Sequence, residues 1–286
     1  MRRRVEFVNE DNLILSADYN QYSPVRLLKI EGVTAITNSV VTTDNSMIDG
    51  STHQGTTTKE RHIELTFEMF ENYKQIRDIL YLVFKPKTTG TFYYTENGET
   101  RRIQYEPEDI DIDNEGVVRN IVVSLKCTDP YFEALDETVV DMAAWDALFE
   151  FEHEFLEEGE ELATRIAEII KEVPNESAAK NLGITVQFTA EGPVFAPAIY
   201  HLESGDFARV AVDLMAGDSV VYTTHTNNKK VFLFQGGEKR EVNELLDEDS
   251  EFIQLGPKKN TLKYDADSGI EYLNVQIIYR FKFAGV

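Results

Sequence analysis

The chain is poor in cysteine, in tryptophan and in long apolar runs. Cys127 is the one cysteine among 286 residues. That excludes an intrachain disulfide and fits synthesis in a reducing cytoplasm. No apolar run approaches the ~20 residues of a membrane-spanning helix, so no membrane insertion is expected. The basic start, Met1-Arg2-Arg3-Arg4, leads into the alternating Val5 and Phe7 and not into a signal-peptide core. Basic residues are scarce too: 28 against 51 acidic ones, a net charge of −23. The first 133 residues hold 15 basic and 22 acidic side chains, which leaves 13 and 29 for the remainder. The second half is therefore the strongly acidic one. Such a surface repels phosphate backbones, so no specific nucleic-acid partner is expected. Arg2–Arg4 reads as a solvated strand end, with a small anion patch as the alternative.

Recognisable chemistry is equally sparse. There is no G-x-S-x-G, no glycine-rich phosphate loop and no H-E-x-x-H. His53, His62, His153, His201 and His225 fall at no metal-ligand spacing and read as surface or rim residues. Asp111, Asp113, Glu115 and Gly116 imitate the start of a calcium loop, but Val122 stands where its closing Glu belongs. A plain acidic turn is the better reading. Cys127 ends a strand with no histidine nearby and reads as a buried structural thiol. Two of the many carboxylates could converge as a glycosidase pair, but no spacing singles them out. The expectation is a protein without cofactor, metal or catalytic site.

What is present is β-structure. From Leu273 to Phe283, Leu273, Val275, Ile277, Tyr279, Phe281 and Phe283 alternate with mostly polar residues. This predicts one strand of about 36 Å at roughly 3.3 Å per residue. Leu262, Tyr264 and the turn formers Asp265, Asp267, Ser268 and Gly269 predict the other arm of a closing hairpin. Residues 5–41 read as strands. Residues 62–69 alternate around Ile63, Leu65, Phe67 and Met69. Asn72 predicts a helix cap, with Tyr73, Ile76, Leu80 and Val83 as its apolar stripe and Lys85-Pro86-Lys87 as its end. Asn97-Gly98 predicts a tight hairpin, and a second hairpin turns at Asp113–Gly116. Asp129-Pro130 marks a domain boundary near residues 128–140.

Phe149, Phe151, His153 and Phe155 alternate as a strand, whereas propensity makes Glu157–Lys171 a helix. From Pro174 onward, regular short strands with turns at Ser204–Asp206, Asn227-Asn228 and Gly236-Gly237 suggest a sandwich. The segment Thr42–Thr58 is polar, with little apolar content beyond Met47 and Ile48. By composition alone it reads as a mobile surface loop, and an arm reaching a neighbouring subunit is the sharper alternative.

Several stretches, in this order, resemble the distal tail protein family of long-tailed phages, the siphovirus-type tail component. They are Tyr22–Val33, the polar excursion running into the Ile63 strand, Val173-Pro-Asn-Glu176, Pro197–Tyr200, Phe252–Gly256, Asn260–Tyr264 with Asp267–Gly269, and the closing Tyr279-Arg280 strand. The resemblance implies a mainly β protein. Its N-terminal domain, residues 1–133, is a β-sandwich or split-barrel-like fold with one helix. Residues 134–286 form a galectin-like β-sandwich. It also implies a hexameric ring that continues the tail tube, as a non-enzymatic hub. The implied partners are the tail tube protein, a tail-associated lysin or tip protein, and receptor-binding or adsorption proteins. The implied place is the virion tail tip, after synthesis in the host cytoplasm. The polar arm, here about Val40–Thr58, becomes a belt on the adjacent subunit, with Thr42, Thr43, Met47, Ile48, Thr56, Thr57 and Thr58 as its contact residues, which reverses the loose-loop reading. Strands rather than a helix are then expected over Leu148–Phe155 and Ile166–Val173. A carbohydrate-binding module is the alternative, with Phe195, Tyr200, Tyr222, Phe232 and Phe234 as candidate aromatic platforms.

Overall fold

The computed structural model describes residues 3–19, 25–45, 47, 49–113, 118–147, 163–167 and 169–286. Two compact units emerge. The first holds Met1–Leu135 and Lys282–Val286, the second Asp136–Phe281.

The first unit runs β1 (Arg3–Asn9), β2 (Ile14–Asp18), β3 (Val25–Glu31), β4 (Asn38–Asp44), β5 (Ser51–Thr58), β6 (Arg61–Met69), α1 (Tyr73–Val83), β7 (Gly90–Glu96), β8 (Glu99–Ile112), β9 (Arg119–Cys127) and β10 (Phe132–Ala134). Its main sheet has the order β2-β1-β7-β8-β9-β6-β3. β8 serves both halves: residues 99–105 pair with β7, and residues 106–112, across an irregularity at Pro107–Asp109, pair with β9. Tyr19, just past β2, bridges Leu27 on β3, so the sheet curls until its two ends meet. Inside, Phe7 stacks on Phe92 at 5.1 Å and meets Phe84 and Tyr105 edge-on. Ile76, Leu80 and Val83 of α1 join this core. Asn97 and Gly98 both take positive φ at the β7–β8 turn, the backbone that a two-residue hairpin demands. Asn72 begins the helix differently from expectation. Its side chain makes no cap, its backbone is left-handed, and its carbonyl accepts the Ile76 N–H at 3.0 Å.

The second unit is a sandwich. Its strands are β11 (Thr138–Asp141), β12 (Ala143–Ala147), β13 (Ala163–Ala167), β14 (Ile170–Asn175), β15 (Leu182–Gly183), β16 (Thr185–Ala190), β17 (Val194–His201), β18 (Phe207–Arg209), β19 (Asp213–Leu214), β20 (Ser219–His225), β21 (Asn228–Gln235), β22 (Glu238–Glu241), β23 (Gln254–Leu255), β24 (Lys258–Ser268) and β25 (Leu273–Tyr279). One sheet is β11-β25-β16-β20-β21-β22, the other β14-β24-β17-β18 with β19 on β17. Val186, Phe188, Tyr222, Val275 and Ile277 of the first sheet share one core with Ile199, Leu262 and Tyr264 of the second. Residues 163–167 and 170–175 are strands, not the helix that propensity favours. The expected strand Leu148–Phe155 and residues 157–162 lie outside the described residues, as does most of the Asp113–Gly116 turn.

Two expectations for the C-terminal segment are corrected. The eleven-residue alternation is not one strand: β25 ends at Tyr279, and Lys282–Phe283 is a separate strand on β10 in the first unit. Residues 282–286 thus leave the second domain to which the sequence assigns them. Lys282, at a polar phase of the pattern, is buried with its amine on Asp129. The closing hairpin is also absent. β24 pairs with β14 and β17, while β25 pairs with β11 and β16, so residues 269–272 carry the chain from one sheet to the other. Alternation reports which face is apolar but not which strand lies alongside. Gly269, at φ +75°, makes this crossing, and a Cβ there would sit 2.0 Å from the Pro193 carbonyl oxygen. Gly269→Ala is therefore expected to destabilise the second unit by at least about 1–2 kcal/mol, read as a drop of several degrees in its calorimetric melting transition.

Candidate interaction surface

The segment that composition marks as a polar excursion is a two-stranded ribbon. β4 and β5 pair with each other and, among the described residues, with no other strand. Thr42 and Thr43 face His53 and Thr52 across it, and Thr56, Thr57 and Thr58 face Val40, Ser39 and Asn38. Alternating threonines suit an extended backbone. Short side-chain links reinforce it: Asn45 donates to the Thr52 hydroxyl at 2.9 Å, and Thr58 donates to Asn38 at 3.1 Å. Thr42, Thr43, Thr56 and Thr57 are exposed, and Met47 at the turn is 94% exposed. Thr58 is half-buried, with its hydroxyl 3.2 Å from that of Tyr131. Ile48 lies outside the described residues. A two-stranded ribbon with no covered apolar face is marginal in water by itself.

Its root is secured by a residue that the pattern alone passes over. Arg61 opens β6 in the buried phase shared by Ile63, Leu65, Phe67 and Met69. Its guanidinium donates to the carbonyls of Gly32 (2.5 Å), Val33 (3.1 Å), Ala35 (2.7 Å) and Pro130 (2.7 Å), and to that of Ala284. The ring of Phe132 lies 5.0 Å beneath it. Burial pushes its pKa below the usual arginine value, because the charged form gives up water. A cation in the apolar phase of an amphipathic strand was the available signal. At the strand surface beside it, Glu60 bonds Lys126 at 2.9 Å, and His62 lies 3.0 Å from Glu108. The Lys126 ammonium holds the Glu60 carboxyl below the usual range. A cavity of about 150 Å³ at this root, lined in part by Ile36, Thr37 and Pro130, is small beside the ~300 Å³ or more of ordinary ligand pockets.

Other sequence candidates fall elsewhere. Tyr222 is no platform: it is fully buried, and its hydroxyl donates to the Glu251 carbonyl at 2.6 Å. Tyr200 stacks on Phe207, and Lys239 lies over Phe232 and Phe234 at 4.0 and 5.5 Å from the ring centres. Phe195 is partly exposed. His201 is not a rim residue: it is buried against Ser204 and Asn260. His153 lies outside the described residues. Cys127 is buried, and desolvation pushes its thiol up to about 12. No group of three or more metal-ligating side chains occurs among the described residues.

Two family models match the sequence. Residues 15–127 match the phage tail protein RIFT-related domain, and residues 178–283 match the siphovirus-type tail component, C-terminal domain. The chain belongs to the siphovirus distal tail protein family. It is a structural component of a phage tail. The fold of this distal tail protein is similar to that of SPP1 Dit (gp 19.1), described as a paradigm of the hub adsorption apparatus in phages infecting Gram-positive bacteria. The TM-score is 0.67 at 13% identity, over 98% of this chain and 99% of that one. It is also similar to a chain of the phage P2 baseplate in its activated conformation with Ca, with a TM-score of 0.60 at 10% identity over the whole of both chains. No curated protein sequence matches it.

Arg61→Met is expected to strand several buried carbonyls and to lower the stability of the first unit by about 3 kcal/mol or more. Arg61→Lys recovers only part, because an ammonium lacks the planar fork. Calorimetry of the three proteins, with limited trypsin digestion at Lys59 as a second readout, checks the order.

Proposed function

We propose that this protein forms a six-membered ring at the virion tail tip, a hub that joins the tail tube to the tip machinery, and that β4–β5 is the belt linking each subunit to the next. The observation that carries the reading is the ribbon itself: extended backbone whose outer edges pair with no other strand among the described residues, with Val40, Val41 and Met47 turned to solvent. Free edges and bare apolar groups are costly unless a partner covers them. Membership of the distal tail family and the likeness to hub and baseplate structures support the same role. The partners are the tail tube protein, a tail-associated lysin or tip protein, and receptor-binding or adsorption proteins. Synthesis takes place in the host cytoplasm.

Catalysis is not part of this role. Among the described residues, Tyr105, Tyr222 and Cys127 have strongly displaced pKa values and are core side chains held neutral by desolvation. Displaced groups at catalytic sites instead line clefts beside a charged partner. The net charge of −23 also suits a conduit that must not retain DNA.

Replacing residues 40–57 by Asn-Gly is expected to leave the calorimetric transitions nearly unchanged and to abolish the ring. Negative-stain microscopy and light scattering of both proteins at matched concentration check this. A shortened chain that still closes six-membered rings removes the belt from the argument.

A further inference from the structure

A ring of identical subunits joined head to tail needs two different patches on each copy, one fitting the other. The ribbon is one. The first unit carries a second exposed apolar group, around α1 and the β1–β2 turn. Beside its buried stripe, α1 presents Gln75, Ile79 and Leu82 one above another at i, i+4 and i+7. Ile79 and Leu82 are exposed. Leu13 and Ile14 of the β1–β2 turn are exposed as well, Ile14 at 62%. Buried Asn9 joins the two elements: its amide donates to the Leu82 carbonyl at 3.1 Å and its side-chain oxygen accepts the Leu13 N–H at 2.9 Å. Asn9 thus holds the C-terminal turn of α1 and the β1–β2 turn, which carry these four residues, against each other.

The charges fit as well. Between residues 38 and 58 the ribbon has Asp44 and Asp49 and no lysine or arginine. Residues 72–87 carry Lys74, Arg77, Lys85 and Lys87 against Asp78, while the β1–β2 turn adds Glu10 and Asp11, and Asp11 lies 3.7 Å from the Lys85 amine. Residues 72–87 are a basic stretch in a strongly acidic chain, and Lys74, Lys85 and Lys87 are exposed. The ribbon does not cover this patch in its own copy, since both sets of apolar side chains remain bare. The ribbon is rooted at the Arg61 end of β6, whereas α1 follows the Met69 end. Roughly 26 Å of strand, at about 3.3 Å per residue, separates the two ends.

We infer that the ribbon of one copy seats on the patch of Leu13, Ile14, Ile79 and Leu82 of the next copy, with Asp44 and Asp49 beside Lys74 and Lys87. This deepens the ring reading and rests on it. Met47 and Leu82 supply the test, because both are exposed and Cys127 is buried. The full-length double variant Met47→Cys/Leu82→Cys is oxidised under conditions where rings are seen by negative stain. The expected result is a non-reducing ladder of covalent multimers that stops at six, absent from either single variant. Mixing the two single variants gives a covalent dimer and nothing larger. Rings without a ladder, or a ribbon cysteine captured by a tube or tip protein and not by Leu82→Cys, overturn the seat and leave the ring standing. No ring at any concentration overturns both.

Discussion

The guanidinium of Arg61 is the point on which the first unit depends. Its partners among the described residues are carbonyl oxygens, not carboxylates, drawn from residues 32–35, from Pro130 and from Ala284. Burying a cation is costly unless its donors are met, and charge-assisted bonds of this kind are the strong ones. One side chain therefore ties the approach to the ribbon, the β9–β10 turn and the returning C-terminal segment to the first residue of β6. The ribbon can be thin and polar because its root is not.

The second unit uses the same device with neutral groups. Asn175 donates to the carbonyls of Leu255 and Gly256, and Asn260 donates to those of Val173 and Gly256 while meeting His201. Both asparagines sit in stretches that carry the family resemblance. Their physical task is to satisfy the backbone where β14, β23 and β24 converge and regular pairing ends. In each unit the outgoing and returning strands are also neighbours: β10 pairs with Lys282–Phe283, and β11 pairs with β25.

Much of this was legible in the sequence, element by element. The stripe Ile76, Leu80 and Val83 predicts α1, Asn97-Gly98 predicts the β7–β8 turn, and the alternation around Ile63 predicts β6 with its buried face. The ribbon was legible as a polar stretch of extended-backbone formers, though composition alone made it a loop. Propensity misjudged residues 163–167, which pair with β12, and residues 170–171, which open β14 against β24, because helix preference is weak beside strand pairing. Arg61 and Asn9 went unread. Each is one polar residue whose importance lies in backbone atoms, for Arg61 all distant carbonyls and for Asn9 the Leu82 carbonyl with nearby amides, and such atoms leave no mark on side-chain pattern.

By itself the sequence determined local geometry: which residues extend, which coil, which face of each is apolar, and that the chain is mainly β. These follow from sterics and from solvent exclusion acting over a few residues. Only the tertiary structure decided partnership. It split Leu273–Phe283 between two units, sent β24 and β25 to opposite sheets, and left β4–β5, among the described residues, with no third strand. Backbone hydrogen bonding is indifferent to side-chain identity, so the choice of neighbour is settled by the packing of the whole and not by any one stretch.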